Sequence, residues 1–511
     1  MSSAAQRLPS GPRTGGGAFV IALALGAVSF GCSSSAALGA PESSIVVSPA
    51  KQVRQGESDI VVSVARAEGG LSDVTHVALG ELGVEIEAGG TDTQMRLHVT
   101  VPHGAALGPR ALTFDSPSGS VSEDDVIDVT PISVAATGAD SNLGTTDAPF
   151  RSLKQALSVA GAGDTCSLAN GTYDAEHGET WAYALPAGLD IVGESTELTV
   201  LQAPAHSVAV EVAGPEAFDP AANSSLATLS LVGFDLAVKL VGPAQVSLHE
   251  VAIRGGGAGI SLEAAGSTVE LEAGSVDATG VCVELGGACD GCRLDIVATS
   301  LTTAGDIAPA IRVLETSHRS QLSLENVQLA GGAFIADPEA ALTIDSSTVL
   351  GSGANAGVNF AGATLDVTNS TVRAGSSPYG ISLRSGALSL TDVSVEGNNY
   401  SVYQTAGKSR LRRATLRGYT SVGLYFASGE LDLGTATEAG GNAFLGSGAD
   451  AFGIYVNTGT APVTCSNTSF NGVFPPAGTV QASGSDSLVE PGQYVLTPEQ
   501  KILFFDVPEQ R

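Results

Sequence analysis

Residues 341–429 read, one line per repeat, ALTIDSSTVLGSGANAGVNFAG (341–362), ATLDVTNSTVRAGSSPYGISLRSG (363–386), ALSLTDVSVEGNNYSVYQTAG (387–407) and KSRLRRATLRGYTSVGLYFASG (408–429). Each line opens on a short run with period-2 alternation, such as Leu388 and Leu390. A second apolar position follows, then a polar bend, then another short strand such as Ile381-Ser382-Leu383, and a closing Gly. Three short strands and three bends in about 22 residues make one turn of a parallel β-helix. The register extends outward in both directions. Leu248, Leu271, Ile296, Leu324, Ile344, Val367, Leu390, Leu411 and Leu433 are spaced by 23, 25, 28, 20, 23, 23, 21 and 22 residues. Five positions on, the first eight show Ile253, Val276, Leu301, Leu329, Val349, Val372, Val395 and Leu416; the ninth fails with Glu438. A period in the 20s marks a stacked array whose units cannot bury their apolar faces alone. A leucine-rich repeat would carry Asn or Cys at a fixed inner position, and a propeller blade would need about 40 residues. The sequence therefore predicts an all-β chain built on a parallel β-helix.

Such an array exposes strand edges at its ends, which need covers. At the N-terminal end, Phe150, Leu153, Ala156, Leu157 and Ala160 recur at helical spacing, which predicts a capping helix over 150–160. Asp147 is its expected cap, Pro149 stands near its first turn, and Gly161 and Gly163 end it. Thr165–Leu168 is then the first strand, with Cys166 expected as a buried thiol. The elements Gly138-Ala139-Asp140, Gly144-Thr145, Pro149-Phe150, Ala156-Leu157, Gly163-Asp164 and Gly171-Thr172-Tyr173 stand in order along this segment. In that order they resemble the signature of a bacterial domain-of-unknown-function family. This family opens many right-handed β-helix proteins of the pectin-lyase-like superfamily. The resemblance implies the fold and leaves the function open, because that superfamily includes lyases, hydrolases, adhesins and proteins of no known activity. At the other end, VEPGQYVLTPEQKILFF (489–505) and Phe474-Pro475-Pro476 are read as folding back over the last coil.

Before the array, Ser44 to about Pro131 carries alternating runs (IVVSP, DIVVSVA, VEIEA, MRLHVTVP, RALTFDSPSG, VIDVTP) separated by Gly-rich turns, as in a small antiparallel sandwich. Ser48-Pro49, Gln55-Gly56 and Gly108-Pro109-Arg110 resemble immunoglobulin-like modules of the transcription-factor/plexin type, which implies a spacer. Further upstream, Arg7 and Arg13 form a basic start and Ala18–Phe30 is an apolar stretch of 13 residues, too short to span a bilayer. Ser29-Phe30-Gly31-Cys32 resembles a lipoprotein cleavage box, which implies lipidation of Cys32. Ser33 beside it implies an outer-membrane address; a plain secretory signal is the alternative. The expected organisation is signal 1–31, linker 32–43, sandwich 44–132, β-helix 133–475 and C-terminal cap or tail 476–511.

The formal charge of −30, from 53 acids against 23 bases, argues against nucleic acid as a partner. It is compatible with Ca²⁺, but no dense acidic calcium loop is present and no cofactor is expected. Cys289-Asp290-Gly291-Cys292 is a single CxxC without nearby His, so zinc is not expected; one disulfide among Cys282, Cys289 and Cys292 is.

A lyase on this scaffold needs a cation against the uronate and a Lys, Arg or Tyr base; a hydrolase needs converging carboxylates. Carboxylates do not cluster: Asp366, Asp392 and Asp432 recur near the first strand with acid-free coils between, and read as solvated. His177, near Glu176, Glu179 and Trp181, reads as a surface histidine. Bases do cluster. Arg373, Arg384, Lys408, Arg410, Arg412, Arg413 and Arg417 are seven of 23, opposed along the chain only by Asp392 and Glu396, which predicts a local positive face. Six of nine tyrosines fall between Tyr379 and Tyr455. Aligning the second strands puts Ser382, Tyr403, Tyr425 and Tyr455 at one outward position, an aromatic ladder with about 4.8 Å between coils. Tyr403, Tyr425, Tyr455, Arg384, Lys408, Arg410 and Arg412 are accordingly the candidate groove for an anionic or neutral glycan. The alternative has the tyrosines packed under the tail and the arginines solvating a coil edge. The reading favoured by the sequence is a lipid-anchored, non-catalytic envelope protein whose β-helix binds a polysaccharide or another surface partner. A polysaccharide lyase or glycosidase using Lys408, Arg410, Arg412 or Tyr403, and a purely structural array, are the alternatives. The sequence does not give the ligand or the oligomeric state.

Overall fold

The computed structural model describes residues 45–470 apart from 49–50, 68, 118, 215–222, 306, 436, 448–450 and 457–462, together with 493–496 and 501–503. The signal segment, Cys32, the linker and Phe474-Pro475-Pro476 lie outside the described residues.

The first element is a two-sheet sandwich. Ile45–Ser48, Ile60–Arg66, Gln94–Thr100 and Gly83–Ile86 form one antiparallel sheet. Lys51–Arg54, Gly119–Thr130, Gly108–Ser116 and His76–Ala78 form a second, mixed sheet, in which Lys51–Arg54 pairs in parallel with Gly119–Thr130. Period-2 alternation turns Val62, Val64, Leu97 and Val99 inward against Val53, Leu112, Phe114 and Ile127, and these residues make one closed core.

Pro131 alone separates the sandwich from the β-helix. Ile132–Val134 already pairs in parallel with Cys166–Leu168 of the first coil. From there three columns of parallel strands run down the molecule, represented by Thr364–Thr368, Thr371–Arg373 and Tyr379–Leu383. The repeat read from the sequence is the pairing register of the first column: Leu248, Leu271, Ile296, Leu324, Ile344, Val367, Leu390 and Leu411 pair successively and are all buried. The second column does the same from Ile253 to Leu416. The ninth position is filled by Phe444, which pairs with Leu416. Coil nine carries six extra residues before its second strand, so the apolar site moves from Glu438 to Phe444 while the core stays continuous.

Between the first two columns the chain turns sharply through one left-handed residue. Glu250, Ala273, Ala298, Asn326, Ser346, Asn369, Asp392 and Arg413 occupy that corner with φ between +49° and +57°. Each corner lies two residues after a register apolar residue. The corner N–H of Asn326, Ser346, Asn369 and Asp392 donates to Asp345, Thr368, Thr391 and Arg412 carbonyls of the next coil, at 3.1–3.2 Å. These bonds hold in place a conformation that L-residues adopt at a cost.

The capping helix is shorter than its periodicity predicts. It covers Leu153–Leu157, with Ser152 as the N-cap whose hydroxyl accepts from the Gln155 N–H. Asp147 is not the cap. Phe150 is held extended because its N–H donates to Ser133 and its carbonyl accepts from Ala135, both at 2.9 Å, so the helix cannot begin before Ser152. Glu179 supplies the acceptors for the first helical N–H groups, Leu153 at 2.7 Å and Lys154 at 3.2 Å. At the far end, Gln493–Leu496 pairs antiparallel with Val463–Ser466, and Lys501–Leu503 with Phe452–Val456. The tail thus folds back on the last coil. Among the described residues no helix is long and apolar enough to cross a membrane.

Candidate functional site: the tyrosine face

In the third column, from Val283–Leu285 onward, the residue next to last in each parallel strand is outward, flanked by buried neighbours such as Val402 and Leu424. The pairing places Ser382, Tyr403, Tyr425 and Tyr455 in one row. The rings of Tyr403 and Tyr425 stand 4.7 Å apart at 13°, and those of Tyr425 and Tyr455 5.2 Å apart at 5°. A second row, which the sequence alignment leaves out, runs beside it. Tyr379 pairs with Tyr400 and their rings stack at 5.5 Å. Tyr400 meets Tyr403 edge-on at 5.3 Å, and Tyr379 lies 5.1 Å from Tyr403. Five half-buried rings therefore form one continuous surface patch. The sixth tyrosine of this region, Tyr419, is fully buried and belongs to the core.

Stacking uses up ring faces. Both faces of Tyr425 are covered, so the patch offers ring edges and phenol hydroxyls outward. Buried tyrosines elsewhere are bonded inside the chain: Tyr173 donates to Val134 and Ala169 carbonyls, and Tyr183 to Glu179 at 2.6 Å. Among the described residues no group of the chain hydrogen-bonds the hydroxyls of Tyr379, Tyr400, Tyr403 or Tyr425. Partial burial, with the neighbouring phenols second, raises the Tyr379 and Tyr403 hydroxyls above the ordinary tyrosine value. They are therefore protonated at neutral pH and can both donate and accept. Upstream the row continues through Asn359 and Phe334, both half-buried, to the paired side chains of Arg312 and Glu284. Extending the Ser382 alignment back through Val358-Asn359-Phe360 and Ala333-Phe334-Ile335 finds these positions in the sequence.

The positive face expected beside the ladder does not form. Lys408, Arg410 and Arg412 stand on the first column, a different sheet from the tyrosines. Carboxylates of the following coil meet them. Lys408 pairs with Glu430 at 2.8 Å, Arg410 with Glu438, and Arg412 with Asp432 at 2.6 Å and Glu438 at 3.3 Å. Arg413 grips Asp392 at 2.5 Å, and Arg373 and Arg417 flank Glu396 at 3.5 and 3.4 Å. Coil stacking sets a residue beside one about 22 positions away, so charge has to be balanced across coils and not along the chain. Arg412 is also buried, with 4% of its surface exposed, and its guanidinium donates to the Leu411 carbonyl at 2.9 Å. It fastens the inserted loop of coil nine and presents nothing to solvent. Arg384 is exposed at the corner after Leu383; among the described residues it has no ion pair.

The other candidates are structural. Cys289 and Cys292 form a buried disulfide, and Cys282 is a buried free thiol. His177 bonds Asp174 at 2.7 Å, and the neighbouring Glu179 caps the helix. Among the described residues no cluster of His, Cys, Asp and Glu has metal-site geometry.

The three columns of parallel strands define a parallel β-helix chain. Residues 136–269 match the family described as "Protein of unknown function (DUF1565)". No curated protein matches the sequence. Among solved structures the chain is similar to the mannuronan C-5 epimerase AlgE4 A-module of Azotobacter vinelandii, at 11% identity over 60% of this chain and 87% of that one, TM-score 0.36. It is similar to the catalytic unit of a GH87 α-1,3-glucanase from Streptomyces thermodiastaticus, at 11% identity over 81% and 88%, TM-score 0.33. A third is the pectate lyase Pel9A, at 11% identity over 66% and 78%, TM-score 0.25. These likenesses say nothing of activity in this chain.

Proposed function

We propose that the tyrosine face binds a hydroxyl-rich polysaccharide, and that the chain acts as a binding protein of the cell envelope, tethered through a lipid on Cys32. The observation that carries the reading is the set of phenol hydroxyls of Tyr379, Tyr400, Tyr403 and Tyr425, on three successive coils, which among the described residues have no hydrogen-bond partner in the chain. Such a set matches a polymer that offers a donor or acceptor at each unit. Because the clustered bases stand on another sheet and are neutralised by carboxylates of the adjacent coil, which leaves Arg384 as the exposed base beside this column, a neutral glycan suits the face better than an acidic one. The test is a glycan array with the soluble chain from Ser44 onward, repeated with Tyr400, Tyr403 and Tyr425 changed to Phe. Phe keeps the stack and removes only the hydroxyls. Each lost hydrogen bond is worth about 0.5–1.5 kcal/mol, so binding should fall at least tenfold. Undiminished binding by the triple variant would sink the proposal. Appearance of unsaturated uronate products, read by ultraviolet absorbance, would replace it with a lyase.

A further inference from the structure

We infer that the sandwich is the lid of the β-helix, locked onto the first coil through the buried carboxylate of Asp164, and not a spacer hung in front of it. A parallel β-helix leaves a row of unpaired backbone groups at its first coil, and an array of this kind requires a terminal cover. The capping helix covers only a portion of that end. Ile132–Val134 pairs with Cys166–Leu168, and the sandwich supplies groups beside that strand. Gln55, 3% exposed, accepts the N–H of Thr165, the first residue of the first-coil strand, at 2.8 Å. Its amide nitrogen donates to Ala105 at 2.7 Å, back within the sandwich. Asp164 is fully buried and takes three donors, Gly161 N–H from its own turn at 2.8 Å and two from the sandwich. These are His103 Nδ1 at 2.6 Å and Gly104 N–H at 2.9 Å.

The two surfaces approach until only glycine fits. A Cβ built on Gly163 meets Gly104 Cα at 2.9 Å, and one built on Gly161 meets the His103 ring at 2.7 Å. Farther out, Arg54 Nε donates to the Leu143 carbonyl at 2.9 Å, and Asp147 N–H donates to Gln52 at 3.2 Å. The joint itself is the single residue Pro131, whose ring restricts the backbone, between a sandwich strand and the strand that opens the β-helix. A buried carboxylate left without its donors is costly, so Asp164 makes separation of the two surfaces unfavourable. Opening of the sandwich and loosening of the first coil are thereby one event.

Hydrogen exchange on the full chain tests this. In the Asp164→Ala variant, amides of the sandwich core (Leu97, Val99) and of the first coils (Ile191, Val192) should exchange faster together, by about ten- to a hundredfold. If Asp164→Ala does not fold, His103→Ala should give the same joint change at smaller size. The inference is overturned if acceleration is confined to Gly104 and Gly161, if only one of the two sets moves, or if neither does.

Discussion

Tyr403 and Arg412 show at the scale of single residues what alternation can and cannot deliver. Whether a side chain points out of a strand follows from its parity, so the Tyr403–Tyr425–Tyr455 row is legible in the sequence. What that side chain then meets depends on the adjacent coil, so the neutralisation of Lys408, Arg410 and Arg412 is not. Arg412→Met removes a buried guanidinium that holds two carboxylates of the inserted loop; because both partners are half-exposed, a loss of about 1–3 kcal/mol is expected. Urea denaturation would show it as a lower midpoint at unchanged slope. Burial raises the thiols of Cys166 and Cys282 to about 12. Both are therefore protonated at neutral pH and unreactive. Iodoacetamide should leave both unmodified in the native chain and alkylate both in denaturant, as mass spectrometry would report.

At the scale of elements, the left-handed corner is the device that periodicity does not reveal. Its residues are chemically mixed, from Ala273 to Arg413, so no compositional signal marks it; only its constant offset from the register leucines does. Asn369 sits there at φ +49°, and its amide donates to Asp345 at 3.0 Å. Asn369→Val forces a β-branched residue into that conformation and should destabilise by about 1–2 kcal/mol. Asn369→Gly relieves the backbone and loses only the side-chain bond, so it should lie nearer the parent in thermal melts. The inserted loop of coil nine gives a pH signature. Burial opposes ionisation of Asp432, but the Arg412 guanidinium, the Gly434 N–H and Arg410 together outweigh it and hold the carboxyl below its usual 3.8. Arg412, then Arg410, hold Glu438 below 4.5 in the same way. A lowered folded-state value means stability that is complete above the ordinary carboxylate range and lost as pH falls through the shifted values. Melting temperature should drop on the acid side, and Arg412→Met should flatten that limb.

For the whole molecule, the period of the apolar residues was sufficient to read the array, because every coil repeats one pairing rule. The junction with the sandwich was not readable: Gln55, His103 and Asp164 belong to no repeat, and their bonds across the joint span 61 and 110 residues of chain. The far end is closed by antiparallel strands that cover the last coil's edge. Deleting 493–511 should leave the upper coils folded and expose that edge, so the shortened chain should self-associate in light scattering while keeping its β-type circular dichroism. The register carries a mechanical consequence as well. Hydrogen bonds between coils run along the stacking direction, so a pull from the two ends loads them in line and not in shear. The coils should peel away singly and in sequence. Each coil frees about 22 residues, or about 70–80 Å of contour at ~3.3–3.6 Å per residue. Held in an optical trap, the protein should pay out like a ratcheted tether, in even low-force steps that preserve whatever stretch of the tyrosine face has not yet been reached.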